Sequence, residues 1–254
     1  RSFAINADAY DPEYHVKLAI EAGLSAFAAP LGMLEAFAGD YAGQIPLIMK
    51  LNSSNSLARD KDSPDQAITG SVSEALRLGC SAIGFTIYPG SDSALEMISD
   101  VQELAAEAKS SGLAVVIWSY PRGGNISKEG ETAIDIVSYA AHMAALIGAH
   151  IIKVKPPSSF LENTEAKKVY EKLNIPINSL SDRIRNVVES CFNGKRIVVF
   201  SGGSSKGTDG LLEEIREIYK GGGNGSIIGR NSFQRPKSEA LKLLEKIIEI
   251  YKGK

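Results

Sequence analysis

The chain has 254 residues, 44% of them hydrophobic, and 28 Lys and Arg face 30 Asp and Glu for a formal net charge of −2. A chain of this size can bury the core of one α/β barrel, and its near-neutral balance gives no reason to expect nucleic acid as a partner. No run of about 18 apolar residues and no cationic-then-apolar leader occurs, so no membrane-spanning helix is expected. Cys80 and Cys191 are too few and too far apart for a disulfide framework or a zinc knuckle, which fits a reduced cytoplasm. His15, His142 and His150 are scattered without carboxylate-rich motifs, so neither zinc nor another cofactor is expected. His150 reads as a structural residue at the start of a strand.

In chain order, one pattern recurs: a helix-like segment, a glycine, a short apolar run, then proline or a polar loop. Gly23 leads to Ser25–Ala29, Gly79 to Ser81–Ile87, Gly112 to Leu113–Trp118 and Gly148 to His150–Val154. A glycine just past a helix supplies the left-handed residue that ends it, and apolar runs covered on both sides are what parallel strands look like. Pro46–Leu51, Arg196–Phe200 and Ser226–Ile228 add three further strands. Helices are predicted over Pro12–Ala22, Pro64–Leu78, Ala94–Ser110, Glu131–Leu146, Ser181–Cys191, Gly210–Lys220 and Pro236–Tyr251, several opening on Ser, Asp or Pro.

Alternating helix and strand over residues 1–254 point to one parallel α/β domain. Seven strands are one short of a (β/α)8 TIM barrel, and Arg1–Asp8 reads as loop. The expectation is therefore a barrel whose first strand is missing from this chain. Two connections are long: 52–63, and 156–180 with a short helix near Glu165–Leu173. Loops of this length after barrel strands serve as lids or partner contacts, and equally as plain insertions.

The chemistry centres on Ile151-Ile152-Lys153-Val154-Lys155-Pro156-Pro157. Two lysines two residues apart on a strand share a face. If that face is buried, desolvation and mutual repulsion both lower the lysine pKa, and a neutral amine is the form that attacks a carbonyl. Two lysines that snorkel at a strand end fit the same spacing. In a barrel, active residues gather at the C-terminal strand ends. Those ends carry Lys50; Trp118, Tyr120 and Arg122; Ser201, Gly202 and Gly203; and Gly229 with Arg230. Paired glycines after the seventh barrel strand and an arginine after the eighth suit a phosphate. Tyr120, beside the lysine strand in barrel order, is placed to shuttle protons, with ammonium groups nearby expected to lower its pKa. A tyrosine packed beside Trp118 fits as well. Lys50 is either an electrostatic neighbour of the nucleophile or a rim lysine.

Trp118-Ser119-Tyr120-Pro121-Arg122-Gly123-Gly124, Thr86-Ile87-Tyr88-Pro89-Gly90-Ser91, Lys153-Val154-Lys155, Ser201-Gly202-Gly203 and Gly229-Arg230-Asn231 together resemble the archaeal-type class I fructose-bisphosphate aldolases, from about Asp11 to the C-terminus. The resemblance implies a TIM barrel, a metal-independent Schiff-base mechanism, a sugar phosphate substrate and a homo-oligomer. It assigns the Schiff-base lysine to Lys153 and the proton donor to Tyr120. Phosphate binding falls to Ser201, Gly202, Gly203, Gly229 and Arg230, and further substrate contact to Trp118 and Arg122. Lys155 and Lys50 are left as supporting charges. The Asp-His pair that the family carries at the end of its first strand has no counterpart here, and the loop after Lys155 resembles bacterial members. Cleavage of fructose 1,6-bisphosphate is the expected activity. A related lyase or transferase on another phosphorylated ketose is the alternative, as is a barrel that binds sugar phosphates without turnover.

Overall fold

In a computed structural model, residues 6–55, 57, 63–202 and 207–253 are described. Asp11 opens the first helix, α1 (Pro12–Glu21), by accepting the Glu13 N–H, with Pro12 in the first turn where no N–H is needed. Strand β1 (Phe27–Pro30) then enters the sheet, and two short helices, α2 (Leu31–Glu35) and α3 (Ala38–Tyr41), precede β2 (Leu47–Lys50). Neither short helix has a periodicity long enough to read from sequence.

After β2 the chain makes a two-residue strand β3 (Asn52–Ser53), which pairs antiparallel with β4 (Ala67–Ile68). This corrects the helix expected over Pro64–Leu78. That segment is helical only in α4 (Val72–Arg77), which starts where Ser71 and Glu74 form a reciprocal capping box. The remaining order is β5 (Ala82–Ile87), α5 (Ala94–Ser110), β6 (Ala114–Ser119), α6 (Ile134–Leu146), β7 (Ile151–Val154), α7 (Thr164–Lys172), α8 (Leu180–Ser190), β8 (Ile197–Ser201), α9 (Thr208–Lys220), β9 (Gly225–Ile227), α10 (Arg230–Phe233) and α11 (Lys237–Tyr251). Gly23, Gly79, Gly112 and Gly148 all sit at φ between 67° and 90°, the left-handed position that closes a helix before the next strand.

The main sheet is parallel throughout and runs β1-β2-β5-β6-β7-β8-β9, the seven expected strands in sequence order. It curls into an open barrel. Among the described residues, β1 and β9 do not pair with each other. The helix layer, however, continues past the open edges: Leu18 of α1 packs with Ala240 and Leu244 of α11.

Alternation along each strand divides the side chains into two faces. Met49, Ile83, Phe85, Val115, Ile117, Ile152, Val198 and Phe200 belong to the large core under the helices. Ile48, Ala82, Val116 and Trp118 form a second cluster on the opposite, concave face. Strand register carries that face across the sheet, pairing Lys50 with Gly84, Thr86 with Trp118, Trp118 with Lys153 and Lys153 with Val199. His150 does open its strand as a structural residue, its Nδ1 accepting the Val115 N–H at 3.0 Å. Among the described residues, no helix is long and apolar enough to cross a membrane.

Candidate active site

Lys153 lies on the concave face, only 8% exposed. Burial pushes its pKa down to about 8, because the low-polarity surroundings penalise the ammonium more than the neutral amine. Its neighbour in register is Trp118. A Cβ at Gly84 would lie 2.3 Å from Cζ3 of Trp118, so the indole lies across β5 only because position 84 has no side chain.

Lys155 departs from the expectation of two lysines sharing a buried face. The strand ends at Val154, and the Lys155 ammonium turns to Glu131, 3.0 Å from Oε2. Desolvation is the one cause of the lowered Lys153 pKa; repulsion from Lys155 is not among its causes.

Glu131 carries no motif that marks it in the sequence, yet it gathers the cations of this rim. Lys128 lies 2.7 Å and the Arg122 Nε 3.9 Å from its carboxylate. Burial raises the Glu131 pKa, but its lysine partners outweigh that and hold the carboxyl below its usual range. The Arg122 guanidinium lies over the rings of both Tyr88 and Tyr120, 5.7 Å from each centroid.

Tyr120 corrects another expectation. Its pKa is pushed up, not down: burial dominates, Tyr88 adds to it, and Arg122 opposes it only in part. The ammonium groups expected to lower it are not among the causes. A phenol that holds its proton this firmly is suited first to donate it.

Tyr120 and Arg122 line a cavity of about 310 Å³ together with Lys50, Asn52, Gln66 and Tyr88. Lys50 is held inside this cavity. Its ammonium donates to Asn52 Oδ1 at 2.8 Å and to the Asn52 carbonyl, and burial lowers its pKa to about 8. Asn52, 1% exposed, clamps β5 by donating to the Thr86 carbonyl and accepting the Thr86 N–H, both at 2.8 Å. Polar residues buried beside a strand end are the available signal for Asn52 and Gln66, but burial is not visible in sequence.

The expected phosphate-binding ends also meet. Ser201 closes β8 and Gly202 follows it, buried. Asn231 Nδ2 donates to the Gly202 carbonyl at 2.9 Å, which ties this end to α10. Gly229 precedes α10 and Arg230 begins it, both exposed. Gly203 lies outside the described residues. Lys153 and Trp118 are thus brought side by side by strand register, Tyr120 and Arg122 share the cavity with Lys50 and Tyr88, and Ser201 and Gly202 are tied to the Gly229-Arg230 end at β8 and β9.

A parallel sheet curled so that a buried lysine with a lowered pKa looks inward defines a class of barrel suited to imine chemistry. The chain belongs to the DeoC/LacD family of aldolases, whose model matches residues 1–235. It is 37% identical over 266 residues to a probable class 1 fructose-bisphosphate aldolase of Chlamydia muridarum, covering 98% of this chain and 74% of that protein. It is 34% identical over 254 residues to the class 1 fructose-bisphosphate aldolase of Thermoproteus tenax, covering 99% and 84%. Among solved structures, an archaeal fructose-1,6-bisphosphate aldolase whose catalytic lysine carries the carbinolamine intermediate of its substrate superposes with a TM-score of 0.81. The two are 32% identical, over 98% of this chain and 87% of that one.

Proposed function

We propose that this chain is a class I fructose-bisphosphate aldolase, cleaving fructose 1,6-bisphosphate reversibly into dihydroxyacetone phosphate and glyceraldehyde 3-phosphate through an imine on Lys153. The observation that carries the reading is Lys153 itself, a lysine buried on the inner face of the sheet with its pKa lowered to about 8. The neutral amine adds to the C2 carbonyl of the ketose to give a carbinolamine. Tyr120 delivers its proton to the departing hydroxyl, water leaves, and an iminium and a phenolate remain. The phenolate then takes the C4 hydroxyl proton while the C3–C4 bonding electrons flow into the iminium, giving an enamine and releasing the aldehyde. Protonation at C3 and attack of water return the amine and free the ketone product.

Ser201, Gly202, Gly229 and Arg230 hold the phosphate on the ketone half, which fixes the carbonyl beside Lys153. Trp118 packs against the chain of the sugar, and Arg122 contacts its polar groups. A cytoplasmic setting, supported by two cysteines that are free and buried, and assembly into a homo-oligomer complete the reading.

Cleavage assays over a panel of ketose phosphates test it. Fructose 1,6-bisphosphate is expected to be cleaved with the highest kcat/KM. Preference for another phosphorylated ketose would replace the substrate, and binding without turnover would replace the activity.

A further inference from the structure

The foot of β7 and β8, at the opposite end of the strands from Lys153, gathers Lys109, His150 and Arg196. His150 and Arg196 are cross-strand neighbours there. The Ile197 N–H donates to the His150 carbonyl at 3.1 Å, and the residues that follow, Ile151 and Ile197, pair in register. Lys109 reaches them from the last turn of α5, its ammonium 2.1 Å from where a Gly148 Cβ would stand. Burial first, then Lys109 and Arg196, lower the His150 pKa, and no carboxylate is among the causes.

Each of the three is held with donors uncommitted. His150 Nδ1 accepts the Val115 N–H, so the neutral ring carries its proton on Nε2, which has no acceptor among the described residues. The Arg196 guanidinium packs over Phe192, 5.6 Å from the ring centroid, with its Nε buried and unpartnered. Its two Nη groups are left as a fork that suits an oxyanion. Phe192 itself has a left-handed φ of 60°, a conformation that a bulky side chain keeps only where its surroundings impose it. His142 backs the same ring edge-on at 5.7 Å, while its Nδ1 donates to the Ser190 carbonyl at 2.7 Å. The carbonyls that end α5 and α6 attract cations, yet among the described residues neither Lys109 nor Arg196 has a hydrogen-bond acceptor or an acid partner.

We propose that Lys109, His150 and Arg196 form an anion site at the foot of the sheet, separate from the strand ends proposed to hold substrate phosphate, and that it takes a phosphate dianion, free or as a monoester. Lys109 supplies charge, Arg196 a two-pronged contact and His150 Nε2 a single donor. A bound dianion favours the imidazolium, so occupancy is read directly in the His150 titration. The site does not use the aldolase reading and stands whether or not the chain cleaves a ketose.

The test follows the ring signals of the three histidines by NMR in the full chain, with His150 identified by its loss in H150Q. Sulfate stays a dianion across the titration and so separates the site from the ligand's own protonation. Saturating sulfate should raise the His150 pKa by about one pH unit, and sodium chloride at equal ionic strength by less than about a third of that. K109M and R196M should each weaken sulfate binding about fivefold or more. Inorganic phosphate and glycerol phosphate, compared at one pH by the same signal, assign the free ion or the monoester by which binds more tightly. A His150 titration that sulfate moves no further than chloride overturns the proposal, as does a shift shared equally with His15 and His142 or a response undiminished in both variants.

Discussion

Lys153 and Tyr120 are shifted by the same force in opposite senses. Burial penalises whichever form carries charge, so it lowers the proton affinity of the amine and raises that of the phenol. The result is an amine that loses its proton more readily than a free lysine and a phenol that keeps its own. Lys153 has a folded-state pKa of about 8 against its ordinary 10.5. Below pH 8 the native state therefore holds a buried ammonium at a cost. Between the two values the unfolded chain binds a proton that the native state does not, so stability rises with pH through that window. K153M should thus raise unfolding free energy by roughly 2–3 kcal/mol at pH 7, with the gain vanishing above about pH 10.5; urea unfolding across that range checks this. The rate of imine formation should climb through about pH 8 and level off above it, as the neutral fraction does. Y120F should lose about a hundredfold or more in kcat, read in a steady-state cleavage assay.

At the level of elements, β5, β6 and their following loops set the site. Gly84 admits the Trp118 indole across β5. G84A should displace the ring or destabilise the fold by about 1–3 kcal/mol, and because the chain has one tryptophan, its fluorescence reports the displacement directly. The loop after β6 is fastened by Glu131. E131Q weakens its hold on Arg122 and Lys155 and should raise KM severalfold with a smaller change in kcat, whereas E131D should restore part of the loss. The strands were readable from sequence because buried parallel strands are short apolar runs, and the glycines closing the preceding helices sit just before four of them. The choice of Lys153 as the proposed nucleophile rested on family motifs, since Lys153 and Lys155 are alike by spacing. What separates them is Glu131, distant in sequence and brought to Lys155 by folding. The same holds for the 64–78 segment. Its Ser71-to-Glu74 cap was available, but the pairing of Ala67 and Ile68 with Asn52 and Ser53 is a tertiary contact.

The whole molecule presents an open, curled sheet whose inner face carries a hydrophobic floor of Ile48, Ala82 and Val116, with the residues proposed to react toward the strand ends. Helices α1 and α11 meet outside the open edges, and Asn6 reinforces that meeting by donating to the Phe233 and Arg235 carbonyls at 3.0 and 3.2 Å. The residues expected to bind phosphate and those expected to react lie on adjacent strands of this one sheet, so a ketose phosphate held at β8 and β9 would present its carbonyl toward β7. The order of the strands followed from sequence; the way Tyr88, Gln66 and Asn52 back the site did not, because each depends on burial and on partners from other strands. The most direct measurement is reduction with borohydride in the presence of dihydroxyacetone phosphate, followed by peptide mass analysis. A stable adduct on Lys153, absent in K153M, is the expected result; an adduct on Lys50 or Lys155, or none in the intact protein, would contradict the assignment.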